Sequence, residues 1–355
     1  MNESTKNTAI STRASVPRRS GWPSQTPLVR RAKGAPTQEG PTSAVPEEDS
    51  KRIIAVGGGK GGIGKSLMAS SLGICLARRG KRVVLLDADL GGANLHTCLG
   101  LNNPNRTLSD FLHRRCENIE DVVIGTGVEN LGLISGAHDF LTASNLKYFQ
   151  KVRLLKRITQ LEADYILLDL GAGATNNIVD FFLLAELGLV VVIPEPSSIE
   201  NAYRFIKKSF YRDLWSVLKK NNPARQIVER AMDQKNVHGI RTPFDLLEAV
   251  DRIHPETGQV LKERAEAFRP RLIVNETRYD EDLRLGQTMA AVCRRHLGIR
   301  MDCIGAVPYD DGVWQANRKK RPFIQDYPRS RAGRCIEKIA DTLEFASRPM
   351  EEVFA

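Results

Sequence analysis

The run Gly59-Lys60-Gly61-Gly62-Ile63-Gly64-Lys65-Ser66 constrains this chain more than any other stretch of it. It satisfies Gly-x-x-x-x-Gly-Lys-Ser. A short β-branched segment, Ile53 to Val56, precedes it, and a helix-forming segment, Lys65 to Arg79, follows it. Strand, glycine loop and helix in that order make a phosphate cradle. The glycines let backbone N–H groups converge on phosphate oxygens without Cβ clashes, and the N-terminus of the helix adds its dipole. Lys65 is spaced to reach β and γ oxygens and the Ser66 hydroxyl to coordinate Mg²⁺. Gly59, Gly61, Gly62, Ile63, Gly64 and Leu67 complete the cradle. The chain is therefore expected to bind ATP or GTP together with Mg²⁺.

A cradle of this kind sits at the end of a strand in a parallel sheet. Gly80 should end the first helix, and Arg82 to Asp87 reads as the next strand. Tyr165 to Asp169 and Gly188 to Ile193 are nearly all apolar, as strands covered on both faces are, and Arg271 to Asn275 and Asp302 to Val307 read as further strands. Helical periodicity runs over Ser144 to Leu161, Ile199 to Lys220, Asp282 to Leu297 and Gly333 to Phe345. The expected fold class is α/β, a P-loop NTPase with a mostly parallel central sheet flanked by helices. Residues 215–268 lack a central-strand pattern and read as a helical insertion, with breaks at Asn222-Pro223, Gly239 and His254-Pro255. Residues 1–50, rich in Pro, Ser and Thr, read as a disordered basic tail. The ATPase domain is expected over 51–345, with a short C-terminal tail over 346–355.

Composition narrows the setting. The 355 residues are 41% hydrophobic and 26% charged, ordinary for a globular chain. Six cysteines show no Cys-x-x-Cys pair, so reduced thiols are expected rather than a disulfide framework. Met1 to Ser20 lacks a signal-peptide pattern, and no apolar run is long enough to span a bilayer. The net charge of +10 favours acidic partners without choosing among them. A cytoplasmic protein is the expectation, with recruitment to a pole, the nucleoid or the inner membrane face left open.

Three carboxylates fall where a P-loop site needs them. Asp169 ends the strand Tyr165-Ile166-Leu167-Leu168, at the sheet edge where ligands bind, and is the expected Mg²⁺-organising acid. Gly171 and Gly173 follow it as a candidate switch turn. Asp87 and Asp89 close the second strand, and strand alternation lets their carboxylates point the same way. One can then organise Mg²⁺ and the other orient water. Lys60 is a second lysine inside the glycine arc. Its tip can point into another subunit, as a lysine version of an arginine finger, or stay solvated at the surface.

The set Lys60 to Ser66, Asp87-Ala88-Asp89-Leu90-Gly91-Gly92-Ala93-Asn94-Leu95 and Asp169-Leu170-Gly171-Ala172-Gly173 resembles the deviant Walker A ATPases of the MinD/ParA class. Within that class it is most similar to the MinD-like subgroup that controls flagellar number and placement. The resemblance covers about 51–215 and resumes over about 270–345. It implies an ATP-dependent homodimer whose slow hydrolysis is stimulated by a protein partner and times the location of a cellular structure. Lys60, Lys65 and Asp89 would carry catalysis, Lys60 by reaching the nucleotide of the opposite subunit. Ser66, Asp87 and Asp169 would serve the metal. Lys60 and Asn94 would lie at the dimer interface, and Asn275 and Pro308 would line the base pocket.

The chain departs from the class in three places. Residues 1–50 hold no Asp-Gln-Ala motif. Ala346 to Ala355, with a proline and two glutamates, makes a poor amphipathic membrane anchor. The 215–268 insertion is long. Lys207-Lys208, Lys219-Lys220, Arg318-Lys319-Lys320-Arg321, Arg329, Arg331 and Arg334 make non-specific DNA a candidate partner. Two alternatives follow for the function, a ParA-like ATPase that segregates or positions DNA and an ATP-dependent amide-forming or cyclising enzyme.

Overall fold

The computed structural model describes residues 51–102, 104–136, 146–218, 222–232 and 242–345. The two expected tails, 1–50 and 346–355, lie outside the described residues, as do the absent tail motif, Ser144 and the pair Lys219-Lys220.

Eight strands form one sheet in the order β3-β4-β2-β5-β1-β6-β7-β8. They are β1 Arg52–Gly57, β2 Val83–Asp87, β3 Val123–Gly125, β4 Leu131–Ile134, β5 Tyr165–Asp169, β6 Leu187–Val192, β7 Arg271–Thr277 and β8 Asp302–Pro308. Every pairing is parallel except that of β3 with β4. The three central strands β2, β5 and β1 are in register at Val83, Tyr165 and Arg52, so Asp87, Asp169 and Val56 end level with one another. Their residues are fully buried from Ile53 to Val56, Val83 to Asp87 and Tyr165 to Asp169. That explains the unbroken apolar runs.

The helices, in chain order, are α1 Lys65–Arg78, α2 Leu95–Cys98, α3 Leu108–Leu112, α4 Tyr148–Ile158, α5 Asn176–Leu184, α6 Pro196–Ser216, α7 Ala224–Met232, α8 Pro243–Ile253, α9 Pro255–Ala267, α10 Asp280–Leu297, α11 Asp311–Arg318, α12 Phe323–Asp326 and α13 Arg331–Phe345. α1 and α13 pack together on one face, and α5 packs beside α6 against the β1 and β6 strands. α1 buries Met68, Leu72, Ile74 and Leu76 in the core shared with β1, β2 and β5.

The structure differs from the sequence expectations in instructive places. α6 starts at Pro196, earlier than Ile199, because a proline at the first helical position needs no N–H partner. The expected helix over 144–161 is described as Tyr148–Ile158. β3, β4 and α5 carried no clear signal in the sequence. β3 and β4 are only three and four residues long. α5 is so apolar that its period is hidden. Among the described residues, 215–268 holds the end of α6 followed by α7, α8 and α9, and no strand.

Candidate nucleotide site

The glycine arc turns between Gly57 and Lys65 on the C-terminal edge of the sheet. Gly62 and Gly64 sit at φ 74° and 88°, the left-handed region that only glycine occupies without strain. A methyl group added at Gly64 would lie 2.2 Å from Asn275 Nδ2. That amide donates to the Ile63 carbonyl at 3.0 Å, so β7 is tied to the loop by one buried hydrogen bond. Gly59 packs as tightly on the backbone of Asn201 in α6.

Lys65, at 8% exposure, curls back so that Nζ donates to the Lys60 carbonyl at 3.0 Å. Burial lowers its pKa, and the charges of Asp169 and Asp89 oppose that shift. The same carboxylates therefore face the ammonium. The Ser66 hydroxyl lies close enough to the Asp169 carboxylate to pull its pKa down. Lys65, Ser66, Asp87, Asp89 and Asp169 are thus gathered in one place. Leu67 packs partly buried against the core beneath them.

Asp87 and Asp89 converge by a route other than strand alternation. β2 ends at Asp87. Asp87 Oδ1 accepts from the Asp89 N–H at 3.1 Å, and Oδ2 from the Leu95 N–H at 3.0 Å. These bonds curl the chain, and the expected i, i+2 strand geometry is corrected to a turn. Asp89 Oδ1 accepts from the Gly91 N–H at 3.3 Å. Its carboxylate lies against Gly171, so close that a methyl there would sit 3.0 Å from Oδ1. Asn94, exposed at the head of α2, donates its amide to the Gly92 carbonyl at 2.8 Å.

Asp169 is 2% exposed, and its Oδ1 has no hydrogen-bond partner among the described residues. A buried carboxylate oxygen without a donor is costly unless a proton or cation meets it. Burial first, then the negative charge of Asp89, raises the Asp169 pKa, while Ser66 and Lys65 pull it down. Burial and then Asp169 raise that of Asp87. The pair is electron-rich, dry and hungry for positive charge, and it therefore fits a divalent cation. Among the described residues no three His, Cys, Asp or Glu side chains could hold a metal unaided. The cation would thus take Ser66 and phosphate oxygens as its other ligands.

Lys60 does not enter the cradle. Nζ pairs with Glu195 Oε2 at 2.5 Å and with Ser197 Oγ at 3.0 Å. Glu195 and Ser197 open α6, and sequence reasoning passed over both. Glu195 follows a buried strand on the sheet edge that singled out Asp169, but no local pattern in the sequence ties it to Lys60. Asn275 is 2% exposed and lies near the end of β7 beside a bulge, where Glu276 adopts φ 57°. Pro308 closes β8, paired with Thr277. Next to it Arg278 lies over the Tyr309 ring, 3.9 Å from the centroid.

Known proteins resemble this chain. The ParA family model, described as NUBPL iron-transfer P-loop NTPase, matches residues 49–211. The antiactivator FleN of Pseudomonas aeruginosa is 30% identical over 295 residues, which cover 82% of this chain and 86% of FleN. The chain belongs to the MinD/ParA family of deviant Walker A ATPases. Septum site-determining protein MinD of Bacillus subtilis is 27% identical to this MinD/ParA protein over 300 residues, covering 84% of it and 91% of that MinD. A MinD from Pyrococcus horikoshii, solved complexed with Mg-ADP, has a TM-score of 0.54 at 20% identity and covers 85% of this chain and 100% of that one. At that identity the likeness shows the fold, which agrees with the sheet described above.

Proposed function

We propose that this ATPase works as an ATP-gated dimerisation switch that positions a cellular structure, with hydrolysis of ATP to ADP and phosphate as its timer. The observation that carries the reading is the position of Lys60. A second lysine inside a phosphate loop is held off the phosphates by Glu195 and Ser197, at the rim of the site. Lys65 already supplies the cation that the phosphates of its own chain need. Lys60 is therefore available to a nucleotide in a second copy.

In this reading Lys65 turns from the Lys60 carbonyl to the β and γ oxygens. Ser66, Asp87 and Asp169 would hold Mg²⁺, which would supply positive charge beside the phosphates. Asp89, braced against Gly171, orients the attacking water. Loss of the γ-phosphate frees the Gly171 to Gly173 turn, and the copies part. Asn94 lies at the junction between them, and Asn275 and Pro308 flank the adenine. Relatives named for septum-site determination and for antiactivation support a role in placing or restraining a structure such as a division site or flagellum. We place that role in the cytoplasm, with a stimulating protein partner.

The test is the mass of the full chain by light scattering. Asp89→Ala should be a dimer in Mg-ATP and a monomer in Mg-ADP. A variant that binds ATP yet stays monomeric at every concentration would overturn the switch.

A further inference from the structure

We propose that Glu276 is a specificity-determining residue of the nucleotide site, whose carboxylate accepts hydrogen bonds from the ribose hydroxyls of the bound nucleoside triphosphate. The assignment rests on the proposed function in one respect, since it takes Asn275 as the seat of the base.

A backbone irregularity singles the residue out. β7 pairs Asn275 with Val307 and Thr277 with Pro308, so Glu276 is an extra residue with no opposite number in β8. Its φ of 57° lies in the left-handed region, where a residue with a Cβ is strained and glycine is not. A bulge takes a side chain out of strand alternation and re-aims it, and strained residues of this kind gather at ligand sites. A glutamate in place of glycine therefore needs a reason in its side chain.

That side chain is half-buried, and its carboxylate makes no hydrogen bond or ion pair among the described residues. Arg278, the cation two residues on, lies over the Tyr309 ring instead. Burial pushes the Glu276 pKa up, the Arg278 charge pulls it down, and the Glu195 charge pushes it up again. A carboxylate offers only acceptors, and one drawn partly out of water is costly until a donor meets it.

Its place selects the donor. Directly before it stands Asn275, tied to the phosphate loop through the Ile63 carbonyl. On its other side is Glu195, near enough to act on it, which holds Lys60 at the start of that loop. Glu276 thus stands on the rim between the base seat and the loop that takes the phosphates. The part of a nucleotide that bridges those two is the ribose. Its 2′- and 3′-hydroxyls are adjacent donors, and a carboxylate presents two oxygens to such a pair. Mg²⁺ is not the occupant, because Asp87 and Asp169 lie on β2 and β5, across β1 and β6 from β7.

The experiment is calorimetric titration of the full chain with Mg-ATP, Mg-2′-deoxyATP and Mg-3′-deoxyATP, in wild type, Glu276→Gln and Glu276→Gly. Wild type should bind ATP about tenfold or more tighter than either deoxynucleotide. Glu276→Gly should bind all three alike while keeping its thermal midpoint, so that lost affinity is not lost fold. Glu276→Gln, which keeps one acceptor oxygen, should retain part of the preference. A wild type without the preference, or a Glu276→Gly that keeps it, would overturn the assignment. Light scattering on the same samples separates this from the dimer switch. A ribose preference in a chain that stays monomeric in Mg-ATP sustains Glu276 and sinks the switch. ATP-driven dimers formed by a chain that binds the three nucleotides equally do the reverse.

Discussion

In the proposed switch, Lys60 and Glu195 form the pair that would have to open. Their ion pair is partly solvated, with side-chain exposures of 34% and 53%, so it is worth about 0–1 kcal/mol. Releasing it should therefore shift an equilibrium by up to about fivefold and leave folding intact. Glu195→Gln should lower the ATP concentration at which the chain dimerises, read by light scattering across an ATP titration. An unchanged midpoint would mean that the pair restrains nothing. The buried carboxylates make a second prediction. Burial raises the pKa values of Asp87 and Asp169, so a cation arriving between them should displace a proton. Binding of Mg-nucleotide should release protons near neutral pH and tighten as the pH rises through the raised values. Calorimetry in two buffers of different ionisation enthalpy reads the proton directly, and equal heats would refute it. The sign for stability is the reverse. A folded pKa above the unfolded one means that, without added nucleotide, the protein should lose stability as pH climbs from the unfolded carboxylate value through the raised one.

At the scale of elements, α6 joins the site to the region over 215–268. It is 21 residues long, with Glu195 and Ser197 at one end and Asp213 near the other. Asp213, 3% exposed, accepts two hydrogen bonds from the Arg264 guanidinium in α9, at 2.6 and 2.8 Å. Arg264→Ala would strand a buried carboxylate. Arg264 is itself 43% exposed, so solvent reaches the pair and the cost should be about 1–3 kcal/mol. Thermal unfolding should show a lower midpoint, partly restored by Asp213→Asn in the same chain. A midpoint equal to wild type would show that α9 is not clamped there. The ends of α6 also show what sequence can and cannot give. The P-loop, Asp169 and the central strands were legible because their chemistry is local, a glycine arc or an apolar run in one stretch of chain. Glu195 was not legible, because its meaning comes from Lys60, 135 residues away in sequence. The convergence of Asp87 and Asp89 was legible as a result but not as a route. Backbone bonds to Asp87 made the turn, and no residue pattern announced them. The role of Asn275 as a tie to Ile63 likewise exists only across the fold.

At the largest scale, the described residues are built on a sheet whose halves meet at the phosphate loop. The order β2-β5-β1-β6-β7 puts β1, which leads into the loop, between the carboxylates of β2 and β5 and the Asn275 end of β7. A nucleotide seated there would touch both halves, so its binding energy should appear as stability of the entire sheet. Linkage gives the size, about 2.7 kcal/mol when ligand is at a hundred times its dissociation constant. The thermal midpoint of the full chain should therefore rise with Mg-ATP concentration in the wild type. It should not rise in Lys65→Ala, where the cation facing the phosphates is gone. Gly64→Ala separates the loop from the rest. It keeps Lys65 but forces a side chain into φ 88° and onto the Asn275 amide, so it should lose both stability and ligand response. Hydrogen exchange then distinguishes the site from a generic anion patch. With Mg-ATP, protection should increase in β5 and in β7, strands that are not neighbours. Protection confined to exposed basic helices would show that the nucleotide had bound somewhere else.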